Sequence, residues 1–168
     1  MTEVRGEAAK QPFLPLAGPY GHPFHPIFVT VPIGAWVGSL VLDIASRSVG
    51  DPGALSRGAY WMIAVGVIGA LLAAVFGLLD LLAIPAGTRA RKVGLTHMAL
   101  NLSVVALFVV SFVVRANDGL DRATQALPLV LSVVAILLLL VSGWLGGMLA
   151  YRYGVRVADQ QTQAEGFR

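Results

Sequence analysis

The chain has 168 residues, 57% of them hydrophobic and 12% charged, with a mean hydropathy of +0.77. That is half the charge of a soluble domain, which runs near ~25%, so a water-soluble enzyme is excluded. A bilayer-spanning helix takes ~20 apolar residues, which leaves room for about four spans and rules out a large transporter built from one copy.

Cysteine is absent, which removes disulfides, thiolate metal sites, iron–sulfur ligation and cysteine nucleophiles together. The net charge of +3 and pI near 9.7 come from basic residues that flank apolar runs without forming a stripe. Membrane topology accounts for that pattern, and no nucleic-acid partner is expected.

In chain order, residues 1–20 mix charges with Pro12, Pro15, Gly18 and Pro19 and read as a flexible tail. They lack the basic-then-apolar order and cleavage site of a signal peptide. Residues 21–157 read as one transmembrane domain, and 158–168 as a polar tail. Charge-free runs bracket the spans: Lys10 to Asp43, Arg57 to Asp80, Lys92 to Arg115 and Arg122 to Arg152. These predict helices over 25–46, 58–84, 93–115 and 126–152.

Pro26 suits a first helical turn, whereas Pro32 predicts a kink in the first helix. Short loops make sequential helices antiparallel neighbours. The fold class is therefore all-α, an integral membrane four-helix bundle running up-down-up-down. Arg5, Lys10, Arg89, Arg91, Lys92, Arg152, Arg156 and Arg168 fall on one side, against Arg47, Arg57, Arg115 and Arg122 on the other. The positive-inside rule puts both termini in the cytoplasm.

Small residues recur every four positions at Gly69, Ala73 and Gly77, with a parallel row at Gly66 and Ala70. Gly34 and Gly38 recur on helix 1, and Gly143, Gly146, Gly147, Ala150 and Gly154 on or after helix 4. Lipid gives helices no hydrophobic reason to associate, so close backbone approach matters more. These faces read as packing within the chain, or as contacts of a homo-oligomer.

Ionisable groups within spans are costly and point to function. His22, His25, Asp80 and His97 converge on one layer, at the end shared by the helix 1 and 3 starts and the helix 2 and 4 ends. Asn101 lies one turn beyond His97. On helix 3, His97, Asn101, Val104, Phe108, Ser111 and Arg115 form one stripe. His25, Trp36 and Asp43 share a face of helix 1, and Asp43 with Arg115 makes an expected structural ion pair at the opposite end. Asp80 is either neutral or paired with Arg152 or the basic second loop.

Two neutral imidazoles facing across a bundle at matched depth suit a b-type haem, with His25 and His97 as ligands and Asn101 beside them. A divalent metal could use His22, His25, Asp80 and His97, an N/O set suited to zinc, copper or iron. Asp80 and His97 could also relay protons. The sequence carries no nucleophile–base pair, phosphate loop or zinc-protease motif, so the chain is expected to be non-catalytic alone.

The segments GHPFHPIFVTVPIG (21–34), GLLDLLAIP (77–85), LTHMALN (95–101) and SGWLGGMLAYRYGVRV (142–157) resemble the bacterial membrane family catalogued as domain of unknown function 2231. The matching positions are His22, His25, Asp80, His97, Asn101, Arg115, Gly146, Gly147 and Arg152. The resemblance implies a four-helix protein of the bacterial cytoplasmic membrane. Some members resemble this chain fused to a Rieske iron–sulfur domain, which implies a redox setting with respiratory partner proteins. This chain has no such module, so electron transfer would need a partner or a bound haem. Three readings stand: a redox-associated component binding haem or a metal, a structural or accessory membrane subunit without cofactor, and an oligomeric small-solute or proton carrier.

Overall fold

The computed structural model describes residues 6, 9–18 and 22–167. Among these the regular structure is helical, and four helices are long and apolar enough to cross a membrane. Arg5, Gly21, Arg168 and part of the N-terminal tail lie outside the described residues.

The first span is two pieces, α1 (Phe24–Phe28) and α2 (Thr30–Ser46), followed by α3 (Gly53–Ala83), α4 (Arg89–Asp118) and α5 (Ala126–Gly147). A π-helical turn, Met148–Arg152, extends α5, and a short α6 (Gln160–Glu165) follows.

The break in the first span falls at Val29, one turn before Pro32. Proline has no N–H to give the carbonyl four residues back, and its ring crowds that carbonyl. The kink is therefore the work of Pro32, displaced by a turn from it. Helices α3 and α4 both begin several residues before the predicted starts and include Arg57, Arg89, Arg91 and Lys92. Charge marks the edge of the hydrocarbon, not the end of a helix. The 31 residues of α3 rise about 46 Å, longer than the ~30 Å apolar slab. Thr88 starts α4 by accepting the Arg91 N–H at 3.1 Å, the usual service of an N-cap threonine. Arg91 in turn caps the carbonyls of Leu81 and Ile84 at the end of α3.

Two tight pairs, α2 with α3 and α4 with α5, pack side by side through α3–α4 and α2–α5 contacts. Glycines on one helix receive side chains from the other. Gly58 faces Leu42, Met62 faces Gly38, Gly66 faces Trp36, Gly69 faces Val31 and Pro32, and Gly77 faces His25. Numbers rise along α3 as they fall along α1 and α2, the order of antiparallel helices. A Cβ on Gly66 would lie 2.3 Å from the Trp36 indole nitrogen, so only glycine admits that ring.

Burial is inverted relative to a soluble protein. Val41, Ile68, Leu137 and Leu140 face outward, while Ser39, Ser46, Ser111, Ser132 and Ser142 are inaccessible or nearly so. Apolar side chains need no shelter from lipid, whereas hydroxyls need a partner. At mid-bundle, Trp36 stacks on Phe108 with centroids 4.4 Å apart, among Ile63, Val104 and Ala135. This apolar plug separates two polar layers.

Candidate functional site

The first polar layer joins the C-terminal ends of α2 and α4 to the start of α5. Asp43 and Arg115, with side chains 0% and 4% exposed, form a bidentate pair with both N–O distances 2.6 Å. The remaining guanidinium N–H groups reach Ser111 Oγ at 3.1 Å and Thr124 Oγ1 and Ser132 Oγ at 3.4 Å. All five donors of Arg115 are thereby used. Thr124 Oγ1 also donates to Asp43 at 2.8 Å, and its backbone N–H donates to Ser46 Oγ at 3.1 Å. This saturated network is a structural lock.

The second layer lies at the other end and holds the histidines. His25 on α1 and His97 on α4 face each other edge to face, with centroids 6.2 Å apart and planes at 85°. Nδ1 of His25 is 2.9 Å from the Ala73 carbonyl, and Nδ1 of His97 is 2.8 Å from the Ser142 carbonyl. A carbonyl only accepts, so each Nδ1 carries the proton and each Nε2 is left as the lone-pair nitrogen.

Asn101 donates to His97 O at 2.9 Å and to Ser142 Oγ at 2.7 Å, and its amide nitrogen lies 3.2 Å from His97 Nε2. Glycines make room for both rings. A Cβ on Gly77 would lie 2.9 Å from His25, and one on Gly146 would lie 3.2 Å from His97.

The layer is smaller than the sequence predicts. Among the described residues, no three His, Asp or Glu side chains come close enough to share a metal ion. The set of His22, His25, Asp80 and His97 therefore does not assemble. His22 is exposed ahead of α1, because Pro23 and the start of the helix turn it away from the bundle. Asp80 pairs neither with Arg152, which is exposed, nor with the second loop. Its Oδ1 lies 3.0 Å from Nε of Arg156, with the N–H not aimed at it, and among the described residues Nη1 of Arg156 has no partner.

Arg156 and Ser142 touch the residues of this layer, although the sequence does not single them out. Arg156 reads as a tail charge, although its place between Val155 and Val157, just after Gly154, hints at burial. Ser142 contributes through its carbonyl, which no residue type announces, and through its Oγ, which accepts from Asn101 at 2.7 Å and lies 3.0 Å from His97 Nδ1.

Four apolar helices around two buried polar layers define an integral membrane protein of four spans. The family described as predicted membrane protein (DUF2231) matches residues 21–159, and the chain belongs to it. No curated protein and no solved structure matches the chain.

Proposed function

We propose that the chain is a redox-associated membrane component whose His25–His97 pair ligates a metal centre, with haem iron as the centre that the donor set favours. The observation that carries this reading is the shared state of the two rings. Each imidazole gives its Nδ1 proton to a backbone carbonyl and keeps Nε2 as a donor, which is how ligating histidines are held and made more basic. The two rings lie 6.2 Å apart between centroids with their planes at 85°, so both would hold one ion only after a ring turned to aim its Nε2 at it.

Donor count separates the candidate centres. A bare zinc-type site takes three or four protein ligands, whereas the described residues bring two imidazoles and no third ionisable ligand to this point. A haem would need only His25 and His97 from the protein to hold it and would supply one-electron chemistry. Use of His97 Nε2 as a ligand would displace the Asn101 amide from it, at a cost of about 1 kcal/mol. That amide keeps Ser142 Oγ and His97 O as acceptors.

The redox setting that the family resemblance implies agrees with this reading. The basic second loop supports an up-down-up-down bundle with both termini cytoplasmic, which would turn the histidine layer to the cytoplasm of a bacterial inner membrane.

A second reading has its own support. The same hydrogen bonds tie α1 to α3 and α4 to α5, and polar contacts of this kind hold membrane helices together without a cofactor. An absorption spectrum and metal analysis of detergent-purified protein decide between the two. A Soret band with about one haem per chain supports ligation. A colourless, metal-free protein that stays so after haem is supplied leaves a structural layer.

A further inference from the structure

Beyond the last span the chain doubles back onto the N-terminal segment, and Arg156 makes the junction. Its φ of 59° is left-handed for a non-glycine residue, a conformation that persists only where the surroundings impose it. The Arg156 N–H donates to Ala9 O at 2.9 Å, Nη2 reaches Ala17 O at 3.4 Å, and Nε lies 3.0 Å from Asp80 on α3. Ala9 and Ala17 are buried by these contacts. Residues 9–18 thus form a strap stitched across the end of the bundle.

The strap connects to the histidine pair from two directions. Gly18 packs against the backbone of His22 so closely that a Cβ there would sit 1.7 Å from the His22 carbonyl oxygen. His22 and Pro23 lead directly into α1, five residues long, which carries His25 and is set off from α2 by the break at Val29. On α3, Asp80 lies one turn beyond Gly77, the residue against which the His25 ring rests.

Arg115 and Arg156 are both buried but differ in kind. Arg115 satisfies all five of its donors, whereas among the described residues Arg156 Nη1 has no partner and Nε is misaligned toward a carboxylate oxygen that is itself unsatisfied. Burial without full hydrogen bonding costs free energy that water would recover on opening. The first pair is a permanent lock, and the second is poised to release.

We propose that Asp80–Arg156 is a latch that holds the strap of residues 9–18 over the histidine end of the bundle. Its release frees α1 to carry His25 away from Ala73 and His97. The latch belongs to the fold whatever the histidines bind; that it regulates a metal site rests on the function proposed above.

Because the chain has no cysteine, Ala17→Cys introduces a single thiol in the buried part of the strap, and no ligand is needed to read it. In the otherwise native protein this thiol reacts slowly with a maleimide. In Asp80→Asn and Arg156→Gln backgrounds it reacts about a hundredfold faster, the scale set by losing one partner of a buried pair. A thiol at Ala135→Cys in the mid-bundle core stays protected in all three backgrounds. In the same latch variants the His25 Nδ1 proton, held by Ala73, exchanges faster by NMR.

Free reaction of Ala17→Cys in the native background, equal rates in all backgrounds, or an unchanged His25 proton overturns the latch. Where a latch variant also exposes Ala135→Cys, amide exchange of the unaltered chain decides. The N–H groups of Ala17, Gly18 and Arg156 exchanging together, ahead of α3 and α5, support it. An Arg156 N–H as slow as the helix core contradicts it.

Discussion

Asp43 and Arg115 illustrate how one residue's worth depends on its partner. Removing either leaves the other charge buried and uncompensated, which costs about 3–5 kcal/mol. Arg115→Met and Asp43→Leu should each lower the thermal midpoint in detergent markedly. The double variant should recover much of the loss, because two apolar side chains leave no orphaned charge. A double variant as unstable as the sum of the singles would mean that the serine and threonine partners, not the ion pair, set the energy.

The stripe on α4 and the face of α2 are legible in sequence because a polar group in an apolar run is rare, and its spacing assigns a face. Val104, Phe108, Ser111 and Arg115 on that stripe are all buried, as are Trp36 and Asp43 opposite. Two things stay hidden from such reasoning. Backbone carbonyls, such as those of Ala73 and Ser142, fix the imidazole tautomers without a side-chain signature. Arg156 follows the last span, so its return to Asp80 depends on a loop path that no helical period encodes.

At the level of elements, the glycines sort by what faces them. Gly66 and Gly69 lie against Trp36 and Val31, whereas Gly34 and Gly143 have nothing near the position of a Cβ. Gly66→Ala should therefore destabilise the α2–α3 pair by about 1–3 kcal/mol through overpacking. Gly34→Ala and Gly143→Ala should stay within about 0.5 kcal/mol. Thermal unfolding of the three variants separates the cases, and equal effects would mean the rows are not intramolecular contacts. Sequence periodicity finds the rows but not which glycine of each is filled, since that depends on the neighbouring helix.

The short α6 behaves differently from the spans. Asp159 accepts the Thr162 N–H at 2.8 Å, and this bond holds its carboxyl below the usual range. The cap is therefore fully present above the ordinary aspartate pKa and lost as pH falls through the depressed one. Amide protection at Thr162 should fade on acidification while protection in α3 and α5 remains. Protection at Thr162 that persists in strong acid would argue against the cap.

For the whole molecule, four spans follow from composition and charge placement, and the helices extend past the charges only because a helix need not end where the hydrocarbon does. Single cysteines at Ala86 in the second loop and Val49 in the first test the orientation. With both termini cytoplasmic, a membrane-impermeant maleimide labels Val49→Cys in intact cells and leaves Ala86→Cys untouched. Labelling of Ala86→Cys alone would invert the bundle and place the histidine layer outside.

The central claim concerns what the two imidazoles do together, and titration of the purified protein with ferric haem tests it most directly. The wild-type chain should bind about one haem with a low-spin, two-imidazole spectrum. Asn101→Ala, which removes the amide beside His97 Nε2, should bind haem at least as tightly. His25→Ala and His97→Ala should each abolish that spectrum while the bundle stays folded. A two-imidazole spectrum that survives in either histidine variant, or its absence from the wild type, would contradict the assignment.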